Sequence, residues 1–477
     1  MTDWTLASLD ATTAAIASGT LRARDLAEQT LDRIDRFSDV LGCFVEVDAD
    51  SYRAAATAAD RQMGDGLPLS RLHGIPLAHK DMFHRQGRAT AFGSKVPAIP
   101  RAPATATVLD RLDRAGALDT GRLVMVEFAM GPHGFNANYP LCRNPWDLQH
   151  VPCGSSSGSG VAVAARLVHG SLGSDAGGSV RCPAAANGVV GLLPTHGLVS
   201  RYGMMPGSPS LDGVGPLART VQDLAILLDV IAGPDENDLS VFDVMPGSFE
   251  AATRDASIRP RIGIARGYFD DALHPEIGKA IEAAAAELRR AGLDVVDVAV
   301  PVDLLNEVAE LHPLIMKAEA ASNHLVALRD HQDLYTPEVG NRLQSGLFIP
   351  ASDYLAALES RARLLRAFVR DAFARCDVIL TSTLGVRVPT IAETSSKSGQ
   401  AYLDMVVALT RNTKVVNYLG LPALSLPCGY DSLGLPIGMQ LIGRPFDEAA
   451  LLRAGQIYQS RTGWHEELPR LGTDRKY

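Results

Sequence analysis

One lysine and two serine–glycine loops carry the residue types that acyl-transfer chemistry needs. Lys80 ends the stretch Gly74-Ile75-Pro76-Leu77-Ala78-His79-Lys80. The first loop is Gly154-Ser155-Ser156-Ser157-Gly158-Ser159-Gly160, with Ser155 lying 75 residues beyond Lys80. The second is Ser174-Asp175-Ala176-Gly177-Gly178-Ser179, with Ser179 lying 24 residues beyond Ser155. A serine hydroxyl is a poor nucleophile at neutral pH and attacks only as a neighbouring base takes its proton. Lysine serves as that base when burial holds it neutral, because a low-dielectric setting disfavours the ammonium. The apolar run Ile75–Ala78 predicts a buried strand that delivers Lys80 to such a setting. The plainer reading of Lys80 alone is an ion pair with an acid such as Asp81.

Taken alone, each loop leaves alternatives open. Gly154–Gly158 fits G-x-S-x-G with Ser156 as nucleophile, but that motif needs a strand running into the turn, and Asn144-Pro145-Trp146-Asp147 is a loop signal. His465 is the only late histidine available to such a triad. A phosphate-cradling loop fails for want of a following Gly-Lys-Ser/Thr. A flexible structural loop remains. In the second loop, two glycines before Ser179 let the backbone turn sharply and aim successive N–H groups at one point. Such a row suits the oxyanion of a tetrahedral intermediate formed at Ser179, and a plain tight turn is its alternative.

The elements that must position these residues alternate between strand and helix, which predicts an α/β fold: one large domain with a central mixed, twisted β-sheet covered by helices on both faces. Ala23, Leu26, Ala27, Leu31 and Ile34 repeat at helical spacing. A helix is expected to leave the first serine loop through Gly160–Ala165. Thr220 with Asp223 opens another, closing at Gly233. From Arg261 the chain reads strand (Ile262–Ala265), helix (Glu276–Arg290), strand (Val295–Val300), but Arg266-Gly267-Tyr268 is no dinucleotide fingerprint. Buried strands are expected at Asp377–Thr381, Leu424–Pro427 and Gly438–Ile442, and a closing helix at Phe446–Tyr458. The single domain divides into an N-terminal helical segment (1–65), a serine-loop core (66–235) and a C-terminal part (236–477) completing sheet and pocket.

Bulk properties exclude several classes. Of 477 residues, 46% are hydrophobic and 21% charged, which suits a globular chain with a sizeable core. A net charge of −9 offers no basic footprint for nucleic acid. No apolar run approaches the ~18 residues of a membrane span, and Met1-Thr2-Asp3-Trp4 does not open a signal peptide. Six scattered cysteines without a C-x-x-C pair fit a reducing cytoplasm.

Together, Lys80, Ser155 and Ser179 resemble the amidase signature family in order and spacing. Supporting text includes Gly188-Val189-Val190-Gly191-Leu192, Asp212-Gly213-Val214-Gly215-Pro216-Leu217-Ala218-Arg219-Thr220 and Gly434-Leu435-Pro436-Ile437-Gly438-Met439-Gln440. The likeness is dense over about 70–235 and 415–460 and thin between. It implies Ser179 as nucleophile, Ser155 as relay after a cis Gly154–Ser155 peptide, and Lys80 as base. Backbone N–H groups of Ala176, Gly177, Gly178 and Ser179 would form the oxyanion hole. Ser156, Asp175 and Arg181 would support them, and Met130, Gly131 and His133 would border the substrate pocket, although His133 reads equally as an ordinary loop histidine. The resemblance calls for no metal and no cofactor, and for a small amide-type substrate. Many members form homodimers, and the resemblance extends that expectation to this chain.

Cys153 and Ser157 stand where the family commonly has glycine, and 122–126 lacks its asparagine-containing pattern, a departure that bears on substrate recognition. The reading is a stand-alone amidohydrolase acting on an amide, acyl hydrazide, anilide or carbamate. The rival within the family is the glutaminase subunit of a tRNA-dependent amidotransferase. Such a protein has a Tyr-Asp-Gly-Val-Arg-Tyr-Gly stretch, absent from 320–350 here, and an acid where Thr410 stands. An inactive, interaction-only relative is the alternative of another class.

Overall fold

The computed structural model describes residues 2–65, 70–97, 101–243, 245–255 and 257–471. Strands β1 (Phe44–Val47), β2 (Pro76–Lys80), β3 (Leu118–Leu123), β4 (Gly170–Asp175), β5 (Val190–Leu193), β6 (Gly213–Ala218), β7 (Ile262–Arg266), β8 (Val295–Ala299), β9 (Val378–Ser382), β10 (Ala423–Tyr430) and β11 (Pro436–Ile442) form one sheet. Their order is β1-β3-β2-β4-β6-β5-β10-β11-β9-β7-β8. The β3-β2-β4 and β9-β7-β8 sets are parallel, and the pairs between β4 and β9 are antiparallel, so the sheet is mixed. All three expected segments contribute strands to it, which makes the chain a single α/β domain. The expected 65/66 boundary adjoins residues 66–69, which, like Met1, lie outside the described residues.

Strand alternation decides what each face buries. Ile262, Ile264, Val378, Leu380, Leu424 and Leu441 join helices Val221–Ile231, Pro275–Arg290 and Glu448–Gln459 in one apolar cluster. Their neighbours Ala265, Ile379, Ala423 and Ile442 join helices Val302–Asp330, Ala351–Ala372 and Gly399–Leu419 in another. Helices therefore cover both faces. The helix Ala23–Leu41 buries all five residues of its expected stripe and ends at Gly42 with φ 57°, where a Cβ would sit 2.6 Å from the Leu141 carbonyl oxygen. Thr220 caps its helix, its hydroxyl accepting from Asp223 N–H at 2.9 Å.

The expected strands and closing helix fall within a few residues of their observed bounds. The helices Val302–Asp330, Pro337–Gly346 and Gly399–Leu419 had no counterpart among the expected elements, and they wall the cavity described below. Among the described residues no helix is long and apolar enough to cross a membrane. All six cysteines are buried free thiols.

Candidate active site

β2 runs parallel between β3 and β4, and every one of its residues is buried. Lys80, its last residue, is 0% exposed. Its Nζ donates to Ser155 Oγ at 2.7 Å and to Ser174 Oγ at 2.8 Å. The simple ion-pair reading fails because Asp81 is taken by Arg122, whose Nη1 lies 2.7 Å away. No carboxylate comes within ion-pair distance of Lys80 among the described residues. Burial outweighs the more distant fields of Asp212 and Asp175 and pulls the Lys80 ammonium down to about 7. Ser174 was missed as a site residue, although it sits in the quoted loop. A buried lysine nitrogen carries several hydrogens and needs more than one acceptor, which was the available signal.

The first loop crosses from a neighbouring turn into the helix Ser157–Ala164, and the Gly154–Ser155 peptide is cis. Ser155 is fully buried, and its carbonyl accepts from Val126 N–H at 3.1 Å. Cys153, standing where the family has glycine, takes φ 55°, the left-handed region that glycine enters freely. Gly158 admits no side chain, since a Cβ there would lie 2.5 Å from Cys43 O and 2.7 Å from Val124 N. That close approach seats the loop directly on β3.

The second loop leaves β4 and turns into the helix Arg181–Asn187. Asp175 and Arg181, both 0% exposed, form a two-pronged pair, Nε to Oδ2 and Nη2 to Oδ1, each at 3.0 Å. Burial alone would raise the Asp175 carboxyl. Arg181, Asn417 and the Val180 N–H together reverse this and hold it at about 2. Arg181 also donates to Gln440 Oε1 at 2.7 Å, Asn417 Oδ1 at 2.6 Å and Thr413 O at 3.1 Å. Ser156 N–H donates to the Ser179 carbonyl at 3.2 Å, and its hydroxyl bridges the Ser174 backbone. The expected oxyanion donors need one correction. Gly178 N–H is engaged by Asp175 Oδ1 at 2.6 Å, because the turn folds it back onto the carboxylate. The N–H groups of Ala176, Gly177 and Ser179 meet no acceptor among the described residues. Ser179 is partly exposed, and no hydrogen bond joins its hydroxyl to Ser155.

Ser179 opens into a cavity of about 740 Å³ lined also by Gly131, Gly177, His312, Arg342, Thr410 and Lys414. Gly131 lies where the pocket was expected. Met130 and His133 instead line an adjoining cavity of about 470 Å³. The His133 ring packs behind Gly131, where Nδ1 accepts from Phe135 N–H at 3.0 Å and Nε2 lies 3.0 Å from the Tyr402 hydroxyl. Residues 122–126 do not line the Ser179 cavity, so their departure from the family pattern falls outside it. Sequence reasoning missed Arg342, whose guanidinium hydrogen-bonds to Met316 Sδ at 3.4 Å and has no carboxylate partner among the described residues. Burial lowers its pKa and that of Lys414.

The protein-family model for amidases matches residues 25–452. The chain belongs to the amidase signature family. A glutamyl-tRNA(Gln) amidotransferase subunit from Halorhodospira halophila is 40% identical over 96% of this chain and 97% of its own length. Its counterpart from Chloroflexus aurantiacus is 38% identical over 99% and 100%. Among solved structures, a member of a vestigial protein complex bearing on the origins of an s-triazine catabolic enzyme superposes with a TM-score of 0.88, at 33% identity over 95% of this chain and 98% of that one. The native peptide amidase of Stenotrophomonas maltophilia gives 0.82, at 32% identity over 96% and 97%. This amidase signature chain is thus a hydrolase acting on amide C–N bonds.

In this amidase the Asp175–Arg181 pair is the clearest stability determinant near the cavity. Arg181→Met leaves Asp175 buried without its partner and is expected to cost about 3–5 kcal/mol. Urea unfolding of the variant against the parent measures this, and a loss below about 1 kcal/mol would contradict it.

Proposed function

We propose that the chain hydrolyses small amides through an acyl-enzyme on Ser179, with Ser155 as relay and Lys80 as base. The observation that carries this reading is Lys80 at full burial, hydrogen-bonded to Ser155 and lacking a carboxylate partner among the described residues. A neutral lysine keeps two N–H bonds and one lone pair. The lone pair takes the Ser155 proton while an N–H donates to Ser174. Ser155 in turn takes the proton of Ser179 as the Ser179 oxygen attacks the carbonyl carbon. The N–H groups of Ala176, Gly177 and Ser179 support the resulting oxyanion. Ser155 then returns the proton to the departing nitrogen as the C–N bond breaks, and water releases the acid from the ester. The Ser155–Ser179 bond that this relay needs belongs to the substrate-bound state, in keeping with catalytic hydrogen bonds that tighten on binding.

The cavity wall supports a substrate class. Arg342, Lys317, Lys397 and Lys414 all line it, with Glu338 as the one acidic side chain among the described residues. A guanidinium without a carboxylate partner among the described residues, lining the nucleophile's cavity, suits an amide whose other end carries a carboxylate. Glutamine is such an amide. The full-length match to glutamyl-tRNA(Gln) amidotransferase subunits therefore favours a second reading, that of a glutaminase working with a partner. Thr410 in the cavity wall, where those relatives are expected to carry an acid, favours a carboxylate-bearing amide other than glutamine and a chain that works alone.

Ser179→Ala is expected to abolish amide release, and Lys80→Met to lower kcat at least about 10³-fold. The parent's kcat/KM should rise with pH through about 7 and then level, because activity requires Lys80 in its neutral form. Turnover by purified Ser179→Ala, or a profile flat from pH 5 to 9, would contradict the assignment.

Arg342→Met should raise KM for a dicarboxylic acid monoamide about 10- to 100-fold while sparing benzamide, as expected for loss of one charge-assisted contact. Ammonia release measured on glutamine, the monoamide and benzamide separates the readings. Glutamine turning over fastest would establish the glutaminase reading over the stand-alone one.

A further inference from the structure

Accounting for every backbone group between Asp175 and Ser179 shows an asymmetry. All five carbonyls are occupied. Asp175 O accepts from Asn417 Nδ2 at 3.0 Å, Ala176 O from His312 Nε2 at 2.8 Å and Gly177 O from Thr413 Oγ1 at 2.7 Å. Gly178 O accepts from Cys182 N at 2.7 Å and Ser179 O from Ser156 N at 3.2 Å. Three of the five donors are side chains from the helices Val302–Asp330 and Gly399–Leu419, outside the two serine loops. A peptide plane whose carbonyl is fixed on one side must point the following N–H to the other. The N–H groups of Gly177, Gly178 and Ser179 follow the carbonyls of Ala176, Gly177 and Gly178. Two of those three, Gly177 and Ser179, find no acceptor among the described residues.

We propose that His312 is a positioning residue that holds the Ala176 carbonyl outward and so aims the oxyanion-binding N–H of Gly177 at the substrate. The inference rests on the Ser179 reading above. His312 must donate from Nε2, because a carbonyl only accepts, which rules out the tautomer protonated on Nδ1 alone. Burial pushes its pKa down to about 3, so the ring is neutral, with its proton on Nε2, across the working pH range. His312 also packs against the loop, with its ring 3.5 Å from where a Gly177 side chain would begin. Thr413 holds the next peptide, whose Gly178 N–H is turned onto Asp175, and at Gly178 φ is +128° and a Cβ would collide with the Thr413 hydroxyl oxygen. His312 does not reach the reacting atoms in this scheme. It acts through the peptide that it holds.

The test compares His312→Leu and His312→Phe, which remove the donor, with His312→Gln, which keeps one. The readouts are kcat, KM and affinity for two inhibitors, a trifluoromethyl ketone that forms a tetrahedral adduct and the carboxylate product that does not. Misplacing the Gly177 N–H should lower kcat about 10-fold or more in His312→Leu and in His312→Phe. KM and product affinity should stay within about twofold, ketone affinity should fall in parallel with kcat, and the Gln variant should recover most of the loss. Unchanged kcat in both donor-less variants, or equal weakening of ketone and product, would overturn the proposal. If His312→Leu fails to fold, His312→Phe against His312→Gln decides. Running Ser179→Ala beside them separates the two claims. An inactive Ser179→Ala with fully active His312→Leu and His312→Phe sinks this inference alone, and an active Ser179→Ala sinks the reading on which it rests.

Discussion

A lysine nitrogen held at full burial between two serine hydroxyls, with no countercharge in reach among the described residues, is the constraint around which the site is arranged. Desolvation would ordinarily exclude such a group or force it to pair. Here the sheet supplies the low-dielectric setting and the serines supply acceptors, so the group stays but gives up its proton more readily. β2 must lie in the middle of a parallel trio to bury its last residue, and the first serine loop must press on β3 closely enough to bring Ser155 within 2.7 Å. The lack of room beside Gly158 follows from that approach.

Asp175 and Arg181 solve the complementary problem on the other loop. Their pair is also buried, but each prong is matched and the remaining lone pairs and protons are used by Gly178, Val180, Asn417, Thr413 and Gln440. The network ties the turn after β4 to β11 and to the helix Gly399–Leu419, and so joins the two halves of the chain at the nucleophile. One site thus holds a lysine whose charge is disfavoured beside an aspartate whose charge is strongly favoured. Both are fully buried, and the difference is whether a partner is present.

Much of this was legible in the sequence, and for identifiable reasons. β2 was visible because Ile75–Ala78 is apolar without interruption, as a strand covered on both faces must be. The Ala23–Leu41 helix showed its 3.6-residue stripe, and Thr220 showed its cap. The wall of the cavity was not legible. His312, Arg342 and Lys414 lie far along the chain from the serine loops on helices that the sequence did not mark out, and only the tertiary fold turns them inward. The taking of Gly178 N–H by Asp175 was also hidden, since a run of glycines fixes where a backbone can bend but not which acceptor each N–H finds. Met130 and His133 were placed near the cavity by resemblance and are near it, but they line its neighbour instead.

The central claim is that neutral Lys80 activates Ser179 through Ser155, and it is tested most directly by the rate at which a fluorophosphonate labels the protein as a function of pH, with the labelled peptide mapped by mass spectrometry. The account predicts a single adduct on Ser179, formed at a rate that rises through pH about 7 and collapses in Lys80→Met. An adduct on Ser156, or a Ser179 rate indifferent to pH and to Lys80, would contradict it.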